Sequence, residues 1–225
     1  MKIEKLEIKS RNVGEQLKFY RDLLGLAINN YSEETFEVQV GFSVVKFVSD
    51  PGATPYHIAI HIPGKQERLA LNWVKDRVPV LKNNNEEIID FSNWHAYSLY
   101  FYDADKNIME FISRSNLYKP GKAVFSGKSL LGIAEVGLAT NDIREKYEFL
   151  NQNFRLDKYD GSFDKFCAIG DDEGLLITID KNEKDWFPTN DKAYSSDFAI
   201  SFQHKNKSRQ LKFQNDKVLV IPGEA

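Results

Sequence analysis

Two carboxylates and one imidazole lie where their surroundings make them expensive. Glu110 falls inside "IMEFI" (108–112), and Glu135 inside "GIAEVGL" (132–138). An ionised carboxylate buried in such a run costs several kcal/mol unless it is paired or bound to a cation. One cation could relieve both. His57 opens "HIAIHI" (57–62), and strand alternation puts His57, Ala59 and His61 on one face. Each residue also has a purely structural reading. A glutamate on a short strand can face solvent at a sheet edge, and a strand histidine can be a hydrogen-bonded packing group.

Other side chains could serve a site beside these. Ser98, Tyr100 and Tyr102 share a strand face, so Tyr100 could present its hydroxyl or simply pack. His61 and His95 are candidate acid/base groups, or surface residues. His61 stands about 13 Å from His57 along an extended strand, too far to share one metal. Trp94, Trp186 and Phe187 could stack on a planar heterocycle, with core packing as the default. Cys167, between Phe166 and Ala168, reads as a small buried hydrophobe. "GDDEG" (170–174) is a turn signal without the later glutamate of a calcium loop. The sequence contains no nucleophile elbow, P-loop or dinucleotide fingerprint.

The elements that must hold these groups repeat along the chain. A strand at 5–9 precedes a helix on which Val13, Leu17, Tyr20, Leu23 and Leu24 recur, ended by Gly25. A hairpin follows at 36–40 and 44–48. The pattern restarts with a strand at 56–62 and a helix at 66–78 that carries Leu69, Trp73 and Val74. Strands at 88–91, 96–102 and 108–112 complete the unit. A third start gives a strand at 133–140, a helix capped by Asn141 or Asp142, and strands at 166–169 and 175–179. A fourth, at 197–202, passes through a polar loop (204–209) to a strand at 218–221. Residues 119–129, with Pro120, Gly121 and Gly127, read as a linker between 1–118 and 130–225.

Composition sets wider bounds. The chain has 225 residues, 42% of them hydrophobic, enough for a substantial core. A net charge of −3 gives no reason to expect nucleic acid. One cysteine rules out an intrachain disulfide and a four-thiolate zinc site. The absence of a signal-like or membrane-spanning run leads us to expect a cytoplasmic protein, monomer or homodimer, that binds neither membrane nor nucleic acid.

The motifs carry a resemblance. "LKFYRDLLGL" (17–26), "YHIAIHI" (56–62) and "SLYFYDADKNIMEF" (98–111) resemble the helix, first strand and closing hairpin of the βαβββ modules of the vicinal-oxygen-chelate superfamily. That superfamily includes glyoxalases, bleomycin-resistance proteins and ring-cleaving dioxygenases. Ala104 and Lys106 replace the proline and glycine usual in its hairpin. The resemblance implies an α+β fold of tandem βαβββ modules, the fourth degenerate. "HAYSLYFYDADKNIMEFISR" (95–114) and "LLGIAEVGLAT" (130–140) are further similar to toxoflavin-degrading lyases, which use a divalent metal and oxygen.

This likeness implies that His57, Glu110 and Glu135 ligate a metal. Lys5 stands at the corresponding position of the first module, where an ammonium group cannot coordinate. Such a donor set suits Mn²⁺, or Fe²⁺, with open positions for substrate. Tyr100 and His95 would then be the catalytic candidates. The resulting expectation is a metal-dependent lyase or dioxygenase acting on a small aromatic or heterocyclic compound such as a toxoflavin-like azapteridine. One alternative is a metal-free drug-binding or toxin-binding resistance protein. Another is an extradiol-type dioxygenase, which the absence of a glutamate at 218–221 disfavours.

Overall fold

A computed structural model describes residues 1–119 and 124–222. The first module comprises β1 (Lys2–Ser10), α1 (Val13–Lys18), β2 (Ile28–Asn29), β3 (Thr35–Val40) and β4 (Ser43–Ser49). The second runs through β5 (His57–Ile62), α2 (Glu67–Lys75), β6 (Val80–Leu81), β7 (Ile89–Phe91), β8 (Ala96–Tyr102) and β9 (Ile108–Arg114). The third holds β10 (Gly132–Thr140), α3 (Ile143–Phe154), β11 (Lys158–Gly161), β12 (Phe166–Asp171) and β13 (Gly174–Asp180). The fourth has β14 (Phe198–His204), β15 (Lys207–Gln214) and β16 (Lys217–Val220) and, among the described residues, no helix. Among the described residues, no helix is long and apolar enough to cross a membrane.

The helices follow their caps. Asn12 Oδ1 accepts from Glu15 N at 3.1 Å to start α1, and Asp142 Oδ1 accepts from Glu145 N at 2.9 Å to start α3. The chain after α1 continues as a π-helical turn, Phe19–Leu23. That widening turns Tyr20 into the core and leaves Leu23 exposed, so Leu23 leaves the apolar face expected for it. In α2, Ala70 and Val74 face the sheet while Leu69 is exposed, again unlike the expected face. The expected polar loop at 204–209 is instead a tight hairpin. Lys205 and Asn206 take positive φ, and Leu211 and Phe213 alternate inward along β15.

Strand pairing joins the modules crosswise. β5 pairs in parallel with β9 and antiparallel with β10. β1 pairs in parallel with β4 and antiparallel with β14. The second module therefore abuts the third, and the first abuts the fourth. A contact between Ile3 and Ile133 joins the two halves into one sheet of sixteen strands. Gly41 makes this seam close, since a Cβ there would fall 2.1 Å from the Leu131 backbone. The segment expected as a linker lies partly outside the described residues. Its Phe125 is buried, with its ring 5.6 Å from that of Trp73.

Alternation divides each central strand. Ile58, Ile60 and Ile62 enter the main core with Phe101, Phe111, Val136 and Leu138. The opposite faces, bearing His57, Tyr100, Glu110 and Glu135, turn to a separate space. The β8 to β9 turn is fixed by Asp103. Its carboxylate accepts from the backbone of Asp105 (3.0 Å) and Asn107 (2.9 Å) and from Gln16 Nε2 (2.7 Å). Lys106 takes the positive φ there that a glycine would favour.

Candidate functional site

Register brings the charged residues together. Ala59 on β5 pairs with Glu110 on one side and Glu135 on the other. Its methyl group leaves room for both carboxylates above it. Tyr100 pairs with Glu110 from β8. His57, two residues before Ala59, sets Nε2 3.0 Å from Glu110 Oε2, and its Nδ1 is buried without a hydrogen-bond partner. All four side chains are almost fully buried.

These groups form the floor of a cavity of about 640 Å³. It is also lined by Phe91, Trp94, Phe166, Ile177, Ile179, Trp186 and Phe187, with Trp94 stacked on Phe166 at 6.1 Å and the Phe91 and Phe187 rings 6.0 Å apart. The Trp186 ring centroid lies 5.2 Å from that of His57. Gly137 permits this approach, because a Cβ there would come within 2.7 Å of the indole and 3.1 Å of His57 Cβ. Asp90, Ser92, Asn93 and Lys184 also line the cavity. Trp94 Nε1 donates to Asp160 Oδ2 at 2.6 Å, tying the segment after β7 to β11.

Electrostatics on the floor are unbalanced. Burial, reinforced by the charge of Glu110, pushes the Glu135 carboxyl up to about 7. Burial also raises the Tyr100 phenol well above its ordinary value, with Glu110 and Glu135 adding to the effect. Tyr100 therefore stays protonated beside Glu110, its cross-strand neighbour. The permanent cation is Arg114, whose Nη2 donates to Glu135 Oε1 at 2.8 Å. With both carboxylates ionised and His57 neutral, the guanidinium offsets only one of their two charges.

His57, Glu110, Glu135 and Tyr100 are thus brought together, and Trp94, Trp186 and Phe187 join them as walls. His95 is not among the cavity-lining residues. It is exposed, in a left-handed conformation just before β8, so its role as a catalytic candidate has no support from this placement. His61 is buried with Nε2 3.2 Å from the Glu173 carbonyl, and burial pushes it down to about 3, which keeps it neutral. Lys5 is paired with Glu37 at 2.8 Å, and Glu7 with Lys46 at 2.9 Å. Cys167 is fully buried, and burial pushes its thiol up to about 11.

In donor type, one imidazole and two carboxylates suit a divalent cation. Their present arrangement does not close around one: among the described residues no group of three or more His, Cys, Asp or Glu is placed to hold a metal ion. Glu135 is turned to Arg114 instead. Register also explains why three donors face the cavity and not four. Glu110 pairs with the residue two beyond His57, and the counterpart on β13, pairing with Gly137 two beyond Glu135, is Ile177. Arg114 escaped the sequence reading. The signal was present: it shares strand parity with Glu110 and follows an apolar run.

No family model and no curated protein matches the chain. Solved structures do. A candidate dioxygenase from Bacillus subtilis superposes with a TM-score of 0.57 at 15% identity, over 80% of this chain and 63% of that one. Glyoxalase I from Zea mays superposes with a TM-score of 0.52 at 14% identity, over 79% of this chain and 66% of that one. The chain thus spans less than two thirds of the length of each. At these identities the likeness establishes architecture, and by that measure the chain has the mixed α+β fold of glyoxalase and dioxygenase-type vicinal-oxygen-chelate proteins.

Proposed function

We propose that the chain is an enzyme acting on a small planar aromatic or heterocyclic compound in the aromatic-walled cavity. It does so with a divalent cation, Mn²⁺ before Fe²⁺, held by His57, Glu110 and Glu135. The carrying observation is the convergence of an imidazole and two buried carboxylates on one cavity floor. When bound, the metal would supply Lewis acidity toward vicinal oxygen or nitrogen atoms of the ligand. Trp186 and Phe187 offer flat surfaces against which a ring can lie. Tyr100 holds its proton beside Glu110. The apolar walls exclude water and strengthen every polar contact on the floor. A toxoflavin-like azapteridine, degraded with oxygen, is the most specific substrate that the sequence resemblance suggests.

Metal analysis of chelator-free protein, with Mn²⁺ titration, tests this. We expect one Mn²⁺ per chain, with Glu110→Gln and Glu135→Gln each weakening binding by about 100-fold. The closed pair of Arg114 and Glu135 favours a second reading, metal-free sequestration of the same kind of ligand. A protein that takes up no metal, yet binds a planar heterocycle tightly and returns it unchanged, would establish that reading and sink the first. Oxygen uptake with substrate distinguishes oxidative degradation from isomerisation.

A further inference from the structure

Arg114 ends β9 with its side chain fully buried. Its guanidinium packs 5.7 Å from the Trp94 ring and 5.9 Å from that of Tyr159, and Nη1 donates weakly to the Trp94 carbonyl at 3.3 Å. Arg114 itself does not line the cavity, whereas Trp94 and Glu135 do. A guanidinium keeps its proton, so its charge needs a partner wherever it points. Two carboxylates offer one. Glu135 is engaged at 2.8 Å. Asp172, in the turn between β12 and β13, sets Oδ1 3.6 Å from Nη1, just beyond hydrogen-bond length.

Asp172 is held ready. The Tyr159 hydroxyl donates to its Oδ1 at 2.6 Å and Asn116 Nδ2 to its Oδ2 at 3.0 Å. Arg114 Nε is buried with no hydrogen-bond partner, so the present pose leaves one donor unused. With Glu110, Glu135 and Asp172 ionised and His57 neutral, the three carboxylates and Arg114 carry two net negative charges. A divalent cation brings that set to zero.

We propose that Arg114 is an internal counter-ion that exchanges partners: it neutralises Glu135 in the metal-free protein and passes to Asp172 when Glu135 becomes a metal ligand. This rests on the reading that His57, Glu110 and Glu135 bind such a cation. Arg114 is then a positioning residue acting through Glu135. Asp172, outside the cavity, sets how readily Glu135 is released.

The test is Mn²⁺ affinity, read from the free-ion electron paramagnetic resonance signal. It compares the wild type, Arg114→Met, Asp172→Asn and the double variant. Arg114→Met is expected to tighten binding about tenfold, because Glu135 is no longer engaged. Asp172→Asn is expected to weaken it about fivefold when Arg114 is present and to have no effect in the Arg114→Met background. Equal weakening in both backgrounds would show Asp172 acting as a remote charge and would overturn the exchange. So would unchanged or weaker binding in Arg114→Met. No Mn²⁺ binding by any of the four proteins would instead overturn the metal reading beneath it. Should Arg114→Met fail to fold, crystal structures of the wild type with and without Mn²⁺ decide. Arg114 should lie within hydrogen-bond distance of Asp172 in the bound form. An Arg114 to Glu135 pair that persists beside bound Mn²⁺ overturns the proposal.

Discussion

Burial moves two groups outside the cavity in opposite directions. His61, pushed down from 6.5 to about 3, stays neutral in the folded chain while the unfolded chain takes up a proton. Its stabilisation is complete above pH 6.5 and is lost at about 1.4 kcal/mol per unit as pH falls toward 3. Asp103, raised from 3.8 to about 6, has the reverse sign. Its contribution is complete below 3.8 and is lost as pH rises through 6. Between pH 4 and 6 the two slopes oppose each other. We therefore expect His61→Gln to become more stable toward pH 4, and Asp103→Asn less so. Each should depart from the wild type by on the order of 2–3 kcal/mol across that interval in urea denaturation. Parallel profiles for all three proteins would refute the assignment. Of the individual residues, the floor was the most legible in the sequence, because a carboxylate between apolar neighbours announces its own electrostatic problem. Arg114 was missed because the strand was read only to Ile112, two residues short of its end. His95 lies outside the cavity lining, a placement the sequence does not reveal because a turn residue can point either way.

Alternation made the strands readable, and the cavity walls obey a different logic. Phe91 and Trp94 come from a three-residue strand and the 3₁₀ turn after it, and Trp186 and Phe187 from the segment after β13. No periodicity marks such positions, so the aromatic residues could be named but not placed. Gly137 is the point at which a regular strand accommodates an irregular wall. Gly137→Ala should displace Trp186 from His57, lowering affinity for a planar ligand about tenfold and changing the indole fluorescence. Unchanged binding and emission would mean that Trp186 is not the stacking surface. The fourth module shows the converse. The pattern "QLKFQ" (210–214) alternates plainly, yet the polar residues before it were read as continuing the loop.

Across the whole molecule, most strands were legible, β15 and the short β2, β6 and β11 excepted, but their partners were not. Alternation tells which face of a strand is buried and says nothing about which strand lies beside it. The pairings of β1 with β14 and of β5 with β10 interleave the two sequence halves, and the contact of β1 with β10 joins the result into one sheet. Phe213, fully buried on β15, lies far in sequence from the cavity floor. Phe213→Ala should cost about 3–5 kcal/mol. The tryptophan signal and the far-ultraviolet signal should lose stability together, as one transition. Two separated transitions would show that the halves unfold independently.

The partnership of β1 and β14 also has a consequence for how the chain emerges from the ribosome. β1 is made about 190 residues before the strand that covers one of its edges. At about 5–20 residues per second, that edge waits on the order of 10–40 s for its partner. All of the residues that build the cavity are already synthesised before β14 appears. During that interval an unpaired strand edge lies beside nascent, largely apolar surface, the condition under which chains associate wrongly. The polar face of β1, with Lys5, Glu7 and Lys9, would then keep the waiting edge soluble.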